Sequence, residues 1–175
     1  MADPKSHPAL AVSEKDRIDY LLAVASIAWA DRSADEAETT KLRQLCETLQ
    51  VTGEAAERVV AAATEPDSRR VTKILRRFRN DSLRFALLAD VTLIAFSDGR
   101  VDSGEAEQIA NYARELSLAT AHATMIGRYV ENAIHGRPTE KLSKDLADKL
   151  AALQAKVPHP GLMRDMFTRL RGTGA

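Results

Sequence analysis

The sequence predicts an all-α fold, a compact multi-helix bundle with an internal repeat and two buried central helices. Apolar residues recur at helical spacing along most of the chain, and no segment shows the alternation typical of a strand. A stretch near residue 30 also recurs near residue 97. An internal repeat of this kind indicates the architecture of a fold more directly than single motifs do.

The repeat relates residues 27–38 to residues 94–105 at a constant offset, since 98 − 31 = 67. Both copies read as the end of an apolar helix, then Asp-x-x-x-Asp-x-x-Glu, then a second helix. We call residues 31–38 the first elbow and residues 98–105 the second elbow. The offset predicts two superposable units, residues 13–64 and 81–135, whose first helices touch at the centre of the bundle.

The first unit is preceded by residues 1–12, which lack periodicity and predict a flexible N-terminal tail. Ser13 is expected to cap a helix over 13–30. The second helix begins at Ser33 or Asp35 and runs to about residue 49. A third, over 53–64, ends before Pro66 because the residue preceding a proline is disfavoured in helical conformation.

A short basic helix over 69–79 links the units, and residues 83–96 are apolar on nearly all sides, as in a buried helix. The second unit continues with helices over 102–116 and 120–135. The helical domain therefore spans 13–136. A C-terminal helical extension over 137–175 is predicted to hold two more helices, 139–156 and 161–171.

The composition limits the function classes. The chain has 45% hydrophobic and 29% charged residues and a net charge of zero, so no overall field attracts nucleic acid or membrane. Its single cysteine, Cys46, lies on an apolar helix stripe and is expected to be buried. No apolar run has the length of a signal peptide or a spanning helix, which predicts a cytoplasmic protein. Catalytic motifs are absent, so no enzymatic activity is expected.

The elbows have a structural explanation. Asp35 with Glu38, and Asp102 with Glu105, fit capping boxes at helix N-termini. Capping does not explain the aspartates that open each elbow, residues 31 and 98, because the dipole at a helix C-terminus disfavours a carboxylate. Those two acids need a partner: loop N–H groups, a nearby arginine (Arg32 or Arg100), or a cation.

The second elbow, Asp98-Gly99-Arg100-Val101-Asp102-Ser103-Gly104-Glu105, follows a buried apolar helix and resembles the signature of the TerB-like family of tellurite-resistance proteins. The resemblance covers roughly residues 15–135 and implies a helical domain with two central helices. It also implies a candidate metal site and a non-enzymatic scaffold of the stress-response or tellurite-resistance type. The implied ligands are Asp31, Asp35, Glu38, Asp98, Asp102 and Glu105. Their oxygens suit a hard cation, Ca²⁺, Mg²⁺ or Mn²⁺.

The alternative is a metal-independent interaction module. It would dock a protein partner, an inner-membrane surface or a membrane protein through the basic helix 69–79 or through an apolar edge of helix 161–171. Nucleic acid is the least favoured partner, because no aromatic platform accompanies the basic residues. The oligomeric state is not encoded in any of these patterns.

Three single residues carry further expectations. Asp90, inside the buried helix, is expected to form a salt bridge with an arginine, because an unpaired buried carboxylate is costly. Trp29 and Phe96 stand at equivalent ends of the two central helices, and core packing explains them better than ligand stacking.

Overall fold

A computed structural model of the protein describes residues 7–30 and 34–136. Within those ranges the chain is all-helical and contains no strand. A 3₁₀ helix over Pro8–Ala11 precedes α1, and a second, over Ser26–Trp29, follows it. The seven α-helices are α1 (Glu14–Ala25), α2 (Glu36–Thr48), α3 (Gly53–Ala61), α4 (Ser68–Phe78), α5 (Leu83–Ala95), α6 (Ser103–Glu115) and α7 (Thr120–Ile134).

Helix α5 is the centre of the bundle. Every residue of α5 except Arg84 is buried, and α1, α2, α6 and α7 all pack against it. The contact between α1 and α5 confirms the expected pairing of the two central helices. Because α5 has neighbours on all sides, its sequence carries apolar residues around its whole circumference.

The first central helix is not one continuous α-helix over 13–30. It begins as expected at Ser13, whose side chain accepts a hydrogen bond from the Asp16 N–H, but it tightens into the second 3₁₀ helix at Ser26. The Ser26 hydroxyl donates to the Ala23 carbonyl at 2.9 Å, three residues back. Such side-chain bonds compete with the α-helical pattern, and 3₁₀ turns are common at helix ends.

The helices that follow each elbow match at the offset of the sequence repeat. Helix α6 begins and ends 67 residues after α2, since 103 − 36 and 115 − 48 both equal 67. Each helix is followed by a non-glycine residue with positive φ, Gln50 (56°) and Ser117 (55°), and 117 − 50 is again 67. These matches concern α2 and α6. Duplication of the whole unit stays a prediction, which superposition of residues 13–64 on residues 81–135 would test.

The expected flexible tail over 1–12 needs correction for its second half. Residues 8–11 form a 3₁₀ helix that contacts α1 and α5, and both His7 and Ala9 are buried. The sequence does not predict this contact with the bundle, because His7 is a polar residue between two prolines and no apolar period surrounds it. Residues 1–6, and the C-terminal extension with its two predicted helices, lie outside the described residues. No helix in the described part has the length and apolarity needed to cross a bilayer.

Candidate functional site

Both elbows form the capping boxes that the sequence predicts. In the first, the Asp35 side chain accepts from the Glu38 N–H at 2.7 Å, and the Glu38 side chain accepts from the Asp35 N–H at 2.9 Å. In the second, Asp102 and Glu105 exchange the same two bonds, each at 2.8 Å. One oxygen of each of these four carboxylates is therefore committed to a helix N-terminus.

Asp98 has the kind of partners that its position calls for. One of its carboxylate oxygens accepts from the Arg100 N–H at 3.0 Å, and the other lies 3.5 Å from the Arg100 guanidinium. Gly99 between them has a φ of 95°, a left-handed conformation that favours glycine. A loop N–H group and an arginine, two of the expected compensations, are thus both present. Asp31, its counterpart in the first elbow, lies outside the described residues.

The second elbow lies beside the residue that precedes the first elbow. The second 3₁₀ helix, which ends just before the first elbow, contacts α6, which starts from the second. Gly104 lies beside the carbonyl group of Ala30, and a Cβ built on Gly104 would be 3.4 Å from the Ala30 oxygen, an ordinary van der Waals distance. Even so, no group of three or more His, Cys, Asp or Glu side chains within residues 7–30 and 34–136 is arranged to hold a metal ion.

Within residues 7–30 and 34–136 the buried carboxylate of Asp90 is bound by a tyrosine and a histidine and by no arginine, so that expectation is wrong for the described part of the chain. Its Oδ2 accepts from the Tyr20 hydroxyl at 2.5 Å and contacts His7 Nε2 at 3.0 Å, and all three residues are buried. His7 Nδ1 accepts from the Ala9 N–H, so Nε2 carries the ring hydrogen and donates it to Asp90. The other Asp90 oxygen, Oδ1, has no hydrogen-bond partner among the described residues.

The basic helix predicted over 69–79 is α4, and acids from other helices neutralise part of it. Arg77 pairs with Asp16 and Asp19 of α1, and Arg70 also pairs with Asp19. Arg76 pairs with Glu115 of α6 at 2.9 Å. Six cations between residues 69 and 79 thus meet three paired carboxylates, which leaves a surplus of three positive charges.

A groove runs between α1, α3 and α4, and its lining holds five basic residues and four acids, Glu14, Asp19, Glu65 and Asp67. It consists of two adjoining depressions of about 550 and 360 Å³ that share Ile18, Arg58 and Arg70. Ile18 and Leu22 of α1 form part of its apolar floor, and both are partly buried against the core. Lys73 and Arg77 stand on its rim. We call this the α1/α3/α4 groove. No pattern in the sequence predicts this groove, because its walls come from three separate helices.

Trp29 is not in the core, contrary to expectation. It is 38% exposed and is the only exposed large hydrophobic residue in the described part of the chain. Phe96, 67 positions later, is partly buried and packs against the core. The 3₁₀ geometry before Trp29 explains the difference, because three residues per turn direct the side chain differently from 3.6.

In comparisons with known proteins, no family model matches the chain, and no curated protein or solved structure matches it.

Proposed function

We propose that this protein acts without catalysis, as an interaction module whose α1/α3/α4 groove binds an acidic, amphipathic segment of a partner protein. The observation that carries the proposal is the apolar floor of the groove beside the basic residues of α4, whose surplus of positive charge adjoins a lining of five basic and four acidic residues. Lys73 lies on the groove rim, and neither Lys73 nor Arg69 forms an ion pair among the described residues. An acidic helix with one apolar face is complementary to both features.

The same charges are a weaker match to a membrane surface. Segments recruited by anionic lipids carry clusters of about four to eight basic residues. Here the acids of α1 and α6 reduce the six cations of residues 69–79 to a surplus of three. A groove with a recessed apolar floor also suits the side chains of a peptide better than flat headgroups do.

Cys46, the one cysteine of the chain, supports the absence of nucleophilic catalysis through this thiol. Its side chain is buried, and burial raises its pKa to about 11. The thiolate, which is the nucleophilic form, is therefore scarce at neutral pH.

Cation binding by the elbows, with membership of a TerB-like, stress-related family, is the second proposal. It is favoured by the proximity of Gly104 in the second elbow to Ala30, the residue before the first elbow, and by the matching bounds of α2 and α6. The same six ligands are proposed: Asp31, Asp35, Glu38, Asp98, Asp102 and Glu105. A cation would use the oxygens that the capping boxes leave over.

The interaction proposal is tested with a labelled synthetic helix that carries leucine at positions i, i+3, i+4 and i+7 and glutamate on the opposite face, by fluorescence anisotropy at increasing salt. We expect saturable binding that weakens with salt, because exposed charges are screened. Lys73→Glu should weaken it about tenfold. Arg128→Glu, the same reversal at an exposed arginine of α7, should leave it unchanged.

Two results would contradict the proposal. One is equal weakening by both substitutions, which would mean that only net charge matters. The other is binding to phosphatidylglycerol vesicles, sensitive to Lys73→Glu, without binding to the peptide. That second result would favour the membrane surface as the partner.

A further inference from the structure

A second cavity lies on the other side of α4, between the second 3₁₀ helix and α6. Its volume is about 440 Å³, within the range of roughly 300–1,000 Å³ that is typical of small-molecule sites. Trp29 of the 3₁₀ helix forms one wall, and Val71 and Leu75 of α4 contribute buried apolar surface. Most other lining side chains are uncharged hydrogen-bonding groups: Ser26, Ser68, Thr72, Gln108, Asn111 and Tyr112.

The hydrogen bonds around the cavity fix which atoms it presents. Ser26 donates to the Ala23 carbonyl, so its oxygen accepts from the Tyr112 hydroxyl. Because the Tyr112 hydroxyl donates its one hydrogen to Ser26, it can only accept from Gln108, so the Gln108 amide N–H donates to the Tyr112 oxygen. Burial raises the pKa of Tyr112, which keeps this hydroxyl protonated. Gln108 is thereby held in place with its carbonyl oxygen and one N–H still available.

Asn111 lies one helical turn from Gln108, on the same face of α6. Its side-chain oxygen accepts from Arg114 at 2.9 Å, which leaves the amide nitrogen with two N–H groups to donate. The cavity thus offers both donors and acceptors from two adjacent amides. Adjacent hydroxyl groups, each of which donates and accepts, match such a pair.

The cavity does not select a charged ligand. Its one carboxylate, Glu115, is held by Arg76 at 2.9 Å, and this contact lowers the pKa of Glu115. The exposed indole of Trp29 provides a flat apolar face beside the amides. The apolar C–H face of a sugar ring packs on such a surface while its hydroxyls bond to neighbouring polar groups.

We propose that this cavity binds a neutral saccharide of one or two rings, with Trp29 as the stacking surface and Gln108 and Asn111 as the hydroxyl-binding groups. This site is distinct from the α1/α3/α4 groove and does not depend on the function proposed for it.

The chain contains a single tryptophan, so tryptophan emission reports directly on this wall of the cavity. Glucose, maltose and trehalose are titrated into the full-length protein to high millimolar concentration, with a polyethylene glycol series as the viscosity control. We expect a saturable change in emission for at least one sugar. Asn111→Ala and Gln108→Ala should each weaken it about fivefold, the effect of losing one neutral hydrogen bond.

Asn132→Ala removes a similar amide from α7, outside the cavity, and should bind as tightly as the unmodified protein. Thermal denaturation of each variant shows whether it folds, and the proposal is judged on whichever of the two α6 variants does. It is overturned if no sugar gives a saturable change, if the α6 variants bind like Asn132→Ala, or if adenosine binds and the sugars do not.

Discussion

Replacing Tyr20 with phenylalanine tests the buried Tyr20–Asp90–His7 cluster with the smallest possible change. The substitution removes only the hydroxyl that donates to Asp90 at 2.5 Å, so the core keeps its packing. A hydrogen bond to a charged group contributes about 1.5–3 kcal/mol to stability. We expect Tyr20→Phe to lower the free energy of unfolding by that amount, because the remaining partner of Asp90 would be His7 alone.

The assay is urea unfolding followed by circular dichroism, with Tyr112→Phe as the matched control. Tyr112 is also buried, but its hydroxyl bonds to two neutral side chains, Ser26 and Gln108. A neutral bond contributes about 0.5–1.5 kcal/mol, roughly half of the value for a charged one, so half of the loss for Tyr112→Phe measures one such bond. A loss for Tyr20→Phe no greater than that half would refute the assignment of Asp90 as a charged acceptor.

The stability that Tyr20→Phe loses relative to the unmodified protein should also depend on pH in the alkaline range. Burial, followed by the nearby charge of Asp90, raises the pKa of Tyr20 well above 10.0. Its contribution is complete below pH 10 and declines above it, because the unfolded chain then loses a proton that the folded chain keeps. Unfolding at pH 11 should therefore show a Tyr20→Phe deficit about 1.4 kcal/mol smaller than at pH 8. A constant deficit would contradict this.

Three further outcomes are expected. Asp35→Ala and Asp102→Ala should each lower stability by about 0.5–2 kcal/mol in chelator, measured as a shift in the denaturation midpoint, because first-turn N–H groups lose their acceptor. If the elbows bind a cation, Ca²⁺ or Mn²⁺ should raise the melting temperature, and Asp98→Asn should reduce that rise without affecting the metal-free fold. If titration calorimetry shows no heat and the melting temperature does not change with Ca²⁺ or Mn²⁺ at millimolar concentration, the cation site is excluded. Cys46 should react with a thiol reagent at pH 8 only as fast as the protein opens, because its pKa is about 11.

Features set by local contacts could be predicted from the sequence. Both capping boxes join residues three positions apart, so the spacing of Asp35 and Glu38 already determines the geometry. The first residues of α2 and α6 follow from those caps. The burial of α5 follows from its composition alone, since a helix that is apolar on all sides needs neighbours on all sides.

Features that depend on distant residues could not be predicted in this way. His7 reaches Asp90 across 83 positions, and Tyr20 reaches it across 70. Nothing local distinguishes these partners from the arginines that were expected. An α-helical periodicity continued through residues 26–29 predicts Trp29 in the core, but the chain there is a 3₁₀ helix. Four residues in a 3₁₀ helix instead of an α-helix are enough to bring the Trp29 indole to the surface.

The two sequence repeats share their caps but differ in the residues around the second cavity. Phe96, which corresponds to Trp29, packs on the core instead of facing a cavity, and the α2 position that corresponds to Gln108 is Lys41. Caps maintain a helix wherever it occurs, so they persist in both copies and carry no specificity. Binding requires a particular set of groups in one place. The capping boxes therefore account for the starts of α2 and α6, and the positions where the copies diverge are where a site specific to one copy is to be sought.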